Sequence, residues 1–580
     1  MRRSATFPCI VVGAALRGRP SVPHCVSHAG AATEGRPYND VIEVQATLQT
    51  FSKNRALVLT LTVLVWLVFL IVSIRVFRPD SLYNAFDSDG AIPVLMVNDD
   101  RPITIFDFYY WGVDRWGGWP LMLGRLVHLD TGFQWTDFSL HVVRATWVFL
   151  GLLVLVWINR RSALVVLVAG LIPLCLEPTI RWQLFNLSQV YAWQLTALFL
   201  AWLSLRQLLA PELLAATGRQ ASIKRTAWCL SFYVTALLAI WSSEASAPYL
   251  GFLLVLESAR AYLQQRDEAA SKWKWRRYVI ALLVLAAATV SHMLIKANYH
   301  RHGLKHWGGD YRAPTWFDAG YLWENVRGNW SNLLEFDFVP LLFIAAAFLL
   351  VMTVIIAYAL LTKQREKLIQ LALDDDVIMI IALAGIGLIN LVLMVVLSHV
   401  RISVYNSRYL NPTFFLGSIA GLMTVYLVLR YFAQRMKLTK YVIPIATLAA
   451  FLFLIVRFPH YEPSPRYKRD KETASILAQK APGGVVMGGY WETYIFAGMQ
   501  QPPTRMLPLP LEGLHVRLPW TPPMLRDRRD VVIEYKLNDV MKRGPLPAEL
   551  VQYGNVLKLK DPQFYQNDTY AFALYTNEPK

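Results

Sequence analysis

Apolar runs of about 17 to 25 residues recur along most of this 580-residue chain, each long enough to cross the hydrocarbon core of a bilayer. They fall at roughly 56–76, 140–158, 162–177, 189–208, 226–243, 246–258, 278–296, 339–361, 377–399, 411–430 and 441–457, about eleven in all. The run at 246–258 is short for a span. Composition agrees: 55% of residues are hydrophobic, only 17% are charged, and mean hydropathy is +0.35. A soluble domain carries nearer a quarter charged residues. The expected fold class is mainly α, a polytopic membrane helix bundle.

The net charge of +17 must then be read by location. With the N-terminus in the cytoplasm, the cytoplasmic connections contain Arg160, Arg161, Arg206, Arg219, Lys224, Arg225, Arg260, Arg266, Lys272, Lys274, Arg276 and Arg277. Further along they contain Lys363, Arg365, Lys367, Arg430, Arg435, Lys437 and Lys440. The short opposite turns at 177–188 and 242–247 carry at most one cation each, as the positive-inside rule requires. An odd number of spans puts the N-terminus inside and the C-terminal segment outside. No compact basic domain or nucleic-acid motif occurs, so nucleic acid is not an expected partner. The four cysteines, Cys9, Cys25, Cys175 and Cys229, are too scattered for a disulfide framework.

Residues 1–54 are Arg-, Gly- and Ala-rich without periodicity and read as a disordered cytoplasmic tail. Residues 55–458 form the transmembrane domain, with long outward loops at 77–139 and 297–338. From 459 to 580 the composition turns Pro-rich and more charged, and no run can span. The patterning there predicts a helix at 471–480 and strands at 484–487, 530–535, 556–559 and 570–575, a small α/β extracytoplasmic domain.

The outward face collects the reactive groups. Just past the first span, Phe86-Asp87-Ser88-Asp89-Gly90 sets two carboxylates one residue apart beside the membrane. Such a pair can hold a divalent cation, Mg2+ or Mn2+, or take a proton from an acceptor hydroxyl; it can equally be two loop acids at a turn. Glu177 opens the second outward loop and is a candidate substrate contact. Lys296 and Arg301, with His300, His302, Lys305 and His306, could meet a phosphate, as could Arg401 and Arg408 around a turn between late spans. For each cation the plain alternative is snorkelling to lipid headgroups. The three histidines are spaced too loosely for a zinc site. Trp111 and Trp116 are candidates for stacking on sugar faces, interface anchoring being their structural alternative.

An acidic pair directly after span one, a multispan body, the element Arg408-Tyr409-Leu410-Asn411-Pro412 and the tail element Gly489-Tyr490-Trp491-Glu492-Thr493-Tyr494 resemble the membrane-embedded GT-C class glycosyltransferases. That class includes the protein mannosyltransferase and aminoarabinose transferase families. The resemblance implies a polyprenyl-phosphate sugar donor lying in the bilayer and a glycan, lipid or protein acceptor at the outer face of a bacterial inner membrane. It makes Asp87 or Asp89 the catalytic base or metal ligand, Arg401 and Arg408 phosphate contacts, and Tyr409 part of the substrate site. The chain departs from several better-known members in lacking an Asp-Glu or Glu-Asp pair here.

Two other classes fit the same topology. A transporter or flippase for a lipid-linked saccharide would place ionisable groups near the midplane and show repeated halves. A non-catalytic scaffold would leave the outward acids and bases without a role.

Overall fold

The computed structural model describes residues 55–76, 87–111, 117–127, 133–176, 189–210, 218–264, 274–302, 319–397, 407–501, 503–512, 520–537 and 545–578, with a few positions between them. From Val58 onward they form one compact unit that includes the C-terminal sheet. The predicted tail 1–54 lies outside the described residues.

Helix α1 (Arg55–Val76) leads to a short helix, α2 (Ser88–Val97), and to α3 (Trp119–Val127). The body follows as α4 (Phe133–Ile158), α5 (Tyr191–Leu208), α6 (Arg219–Ser242), α7 (Ser246–Gln264) and α8 (Lys274–Arg301). Next come α9 (Ala319–Leu334), α10 (Val339–Leu361), α11 (Asp375–Val396), α12 (Asn411–Arg435) and α13 (Thr439–Val456). Among the described residues six helices, α4, α6, α8, α10, α11 and α12, are long and apolar enough to cross a membrane, and shorter apolar helices cover Thr62–Arg75, Ala163–Cys175 and Pro444–Val456. The chain is a membrane protein.

Burial sorts these helices. Only 11% of the apolar window of α10 is buried, against 67% for α11 and α12, so α10 lies at the periphery of the bundle while the other two form its centre. The approach of α10 to α12 depends on Gly421, where a Cβ would sit 2.2 Å from the Leu341 carbonyl oxygen; small residues permit such crossings. The run expected at 162–177 is not one helix. It breaks into Ala163–Ala169 and Ile172–Cys175, because Gly170 is pressed on Leu152 of α4 and Pro173 opens the second piece.

The two ends of the bundle differ. At one, Asp374 caps α11, Asp375 pairs with Arg206 and Arg260, and Asp376 pairs with Arg430 at 2.7 Å while accepting from Asn159 at 2.6 Å and from Ser162. At the other, the exit of α1 runs beside the exit of α13: Ser81 bridges Pro463, and Ser464 N–H donates to the Asp80 carbonyl at 2.8 Å. The first loop and the C-terminal segment therefore share one face.

That segment holds α14 (Pro465–Lys480), which starts earlier than patterning predicted because Ser464 caps it and Pro465 needs no hydrogen-bond acceptor in the first turn. Then come β1 (Val485–Gly488), α15 (Tyr490–Met499), β2 (Leu507–Pro510), β3 (Asp530–Glu534), β4 (Glu549–Gln552), β5 (Asn555–Gln566) and β6 (Ala571–Asn577). They form one sheet ordered β2-β1-β3-β6-β5-β4, parallel among the first three strands and antiparallel beyond. The β4–β5 hairpin turns through Tyr553 and Gly554, both at positive φ, which suits the twist of the flanking strands.

Candidate functional site

Asp87 and Asp89 sit at the start of α2 for local reasons. Asp87 is the cap: its backbone is extended and its Oδ1 accepts from the Gly90 N–H at 2.9 Å. Asp89 lies in the first turn, where a helix favours negative charge. Capping alone would leave two ordinary ionised acids. Burial and the neighbouring Asp89 charge instead push the Asp87 carboxyl up from 3.8 to about 7, against the opposing pull of the Gly90 N–H and the Arg466 guanidinium. It is thus a carboxyl that gains and loses a proton near neutrality.

The C-terminal segment supplies much of this environment. Arg466 stands on the first turn of α14. Tyr490, the first residue of α15, directs its hydroxyl to Asp89 Oδ1 at 3.4 Å, and Tyr110 of the first loop donates to the Asp89 carbonyl at 2.9 Å. Helix α15 lies directly on α2, and Ala91, Ile92, Val94 and Leu95 share one apolar core with Tyr494, Ile495 and Phe496.

Further along the loop, Asp107 is wholly buried. It accepts from Thr104 N–H at 2.8 Å and Trp111 Nε1 at 3.0 Å, and pairs with Arg125 at 2.8 Å. Arg101 binds Asp99 and lies 3.4 Å from the ring centre of Trp520, which meets Trp111 edge-on at 4.9 Å. Trp111 is only 2% exposed, so it is a packing residue of the joint between loop and sheet rather than an open sugar platform.

Lys296 is paired with another acid. Its Nζ lies 2.6 Å from Glu244, in the turn between α6 and α7, and His292 Nε2 is 3.3 Å from the same oxygen. Hydrogen bonds from His292 and Lys296 hold the Glu244 carboxyl down at about 2. Arg301 is exposed at the end of α8. Tyr409 offers its carbonyl to Asn390 at 3.1 Å, and Asn411 reaches the Ile180 carbonyl at 2.9 Å, so this element joins α11 and α12 to Ile180. Glu177, Trp116, Arg401, Lys305 and His306, and the side chain of Arg408, lie outside the described residues.

Sequence patterning passed over Arg466 and the buried Asp107–Arg125 pair. Tyr490 was visible only inside the tail element, and nothing in that element pointed to the first loop 400 residues earlier. A divalent cation has a partial fit. Among the described residues no cluster of three or more His, Cys, Asp or Glu stands ready for a metal. Two carboxylates suit Mg2+ only where substrate phosphate or water fills the remaining positions.

No protein-family model matches the sequence, and no curated protein does. Solved structures are similar at low identity. The archaeal oligosaccharyltransferase AglB from Archaeoglobus fulgidus, in complex with an inhibitory peptide and a dolichol-phosphate, shares 12% identity over 84% of this chain and 70% of that one, with a TM-score of 0.44. ArnT from Cupriavidus metallidurans, in the apo state, shares 13% identity over 90% of this chain and 98% of that one, also at 0.44. At TM-scores below 0.5, the chemistry has to be argued from the chain's own residues.

Proposed function

We propose that this protein is a membrane glycosyltransferase of the GT-C kind, moving a sugar from a polyprenyl-phosphate donor to a glycan, lipid or protein acceptor at the extracytoplasmic face of a bacterial inner membrane. The N-terminus lies inside and the C-terminal domain outside. The observation that carries this reading is the acid pair at the N-terminal end of α2, packed under the C-terminal domain, in which burial and a second carboxylate bring Asp87 to about 7. A base with that proton affinity matches transfer at neutral pH.

In the reaction, Asp87 takes the proton of an acceptor hydroxyl as its oxygen bonds to the anomeric carbon of the sugar. The bond from that carbon to the phosphate oxygen breaks, and the lipid phosphate leaves with the electron pair. Cations on the outer face, Arg466, whose charge acts on Asp87, with Arg401 and Arg408, stabilise that phosphate. A divalent cation held by Asp87 and Asp89 would add positive charge beside it.

The transporter reading gains no support from the ion pairs, since Asp375, Asp376, Arg206, Arg260 and Arg430 gather at one end of the bundle rather than at its midplane. The test is sugar transfer in proteoliposomes with a panel of labelled polyprenyl-phosphate sugars and native envelope lipid, for wild type beside Asp87→Asn and Asp89→Asn. Transfer by wild type that Asp87→Asn abolishes is the expected result. Transfer at wild-type rate in both variants would remove the pair from the chemistry.

A further inference from the structure

The first loop meets the C-terminal domain at three places, spaced on both sides of the acid pair. Before it, Asp80 accepts from Ser464 N–H at 2.8 Å and from Tyr461 at 3.0 Å. At it, Tyr490 reaches Asp89 Oδ1, and Gly498 of α15 packs on Ala91 so closely that a Cβ there would lie 2.7 Å from the alanine methyl. After it, Trp520 is clasped by Arg101 and Trp111. Residues Ala91, Ile92, Tyr494, Ile495, Phe496 and Ala497 at the middle contact are each at most 1% exposed. A mobile lid closes over water and polar surface; this joint is a continuous apolar core. Asp89 is thereby held from two sides, its carbonyl by Tyr110 of its own loop and its carboxylate by Tyr490 from the other end of the chain.

We propose that the C-terminal domain is a fixed half of the acid-pair site, and that Tyr490 is the positioning residue that aligns the Asp89 carboxylate while α15 stays docked on α2 throughout turnover. The proposal rests on the reading of the pair as the reaction centre. Tyr490 acts through Asp89 and touches no reacting atom.

Two experiments test it. In Ala91→Cys/Gly498→Cys, the two Cβ atoms need to open by only about one ångström to reach disulfide geometry. Oxidation is expected to form the bond, identified by mass spectrometry, and the oxidised enzyme is expected to keep transferring sugar. No bond in the folded protein, or transfer lost on oxidation and regained on reduction, overturns the fixed dock. Second, Tyr490→Phe is expected to lower kcat about tenfold, as befits one hydrogen bond to a charged group, with donor KM unchanged. In an Asp89→Ala background, which has no acceptor for the Tyr490 hydroxyl, the same change is expected to do almost nothing. The cycle is also run on the thermal midpoint, so that an Asp89→Ala chain without residual transfer still reports the coupling. An unchanged kcat, or equal losses in both backgrounds, overturns the role of Tyr490. If wild type transfers no sugar from any donor, the functional reading fails instead, and disulfide yield and thermal coupling decide the dock by themselves.

Discussion

Replacing Asp87 by Asn is expected to stop transfer and also to make the protein more stable at alkaline pH, a combination that an ordinary helix cap would not give. A carboxyl that titrates near 3.8 in the unfolded chain and at about 7 in the fold binds more protons folded than unfolded throughout that interval. Stability is then lost as pH rises, by ~1.4 kcal/mol for each pH unit of the interval, which sets a ceiling of about 4 kcal/mol above neutrality. Asparagine caps a helix about as well as aspartate and carries no charge to desolvate, so Asp87→Asn removes the penalty and keeps the cap. The assay is the thermal midpoint of the purified protein from pH 4 to pH 8.5. The variant is expected to match wild type at pH 4, where the wild-type carboxyl is protonated in the fold, and to exceed it progressively toward pH 8. A variant less stable than wild type by ~1 kcal/mol at every pH would show that Asp87 is an ionised cap and nothing more. Its assignment as the base would then have no physical footing.

Other outcomes follow from the same geometry. The transfer rate of wild type is expected to rise with pH through about 7 and to fall about tenfold per unit below it, because the base must be deprotonated; a rate flat from pH 5 to 8 would contradict this. Asp107→Asn removes the nearer of the two carboxylates that face buried Arg125, the other being Asp99 at 3.7 Å, and is expected to cost about 1–3 kcal/mol, read as a lowered thermal midpoint. Gly421→Leu drives a side chain into the Leu341 backbone and is expected to prevent correct assembly of α10 on α12, seen as aggregation on detergent extraction. Glu244→Gln is expected to leave the transfer rate within about threefold of wild type, since its carboxylate is taken up by Lys296 and His292; a loss of about a hundredfold would place the Glu244 group in the site.

Six of the about eleven expected runs are, among the described residues, helices long and apolar enough to cross a membrane, because bilayer thickness imposes a length that apolar runs display directly. In the run at 162–177 a local breaker interrupts the helix. Gly170 and Pro173 split the stretch at 162–177, although its hydropathy alone looks like a span. The acid pair was legible as a candidate because two carboxylates one residue apart are conspicuous in a sequence. Its environment was not. Nothing in a linear pattern says that Tyr490 and Arg466 fold back across some 400 residues to face Asp89 and Asp87, since that contact is set by tertiary packing of α15 on α2. Trp111 shows the converse limit: its place in an aromatic run suggests a sugar platform, but a buried acceptor, Asp107, claims its indole N–H and turns the ring inward.

The two ends of the bundle give the last and most discriminating expectation. At the end opposite the acid pair, Asp375 and Asp376 tie α5, α7, α11 and α12 together through Arg206, Arg260 and Arg430, with Asn159 and Ser162 completing the shell of Asp376. Asp376 is only 2% exposed, so separating it from Arg430 strands a buried charge at a cost of about 3 kcal/mol, and this end resists opening. An alternating-access transporter would have to open it in every cycle. An enzyme working on a lipid-held donor needs access from the outer face alone. In sealed vesicles of defined orientation, transfer is therefore expected only to an impermeant acceptor offered on the side of the C-terminal domain, with no movement of the donor headgroup between leaflets. Donor headgroup crossing the bilayer in step with turnover would refute the one-sided mechanism and favour the flippase.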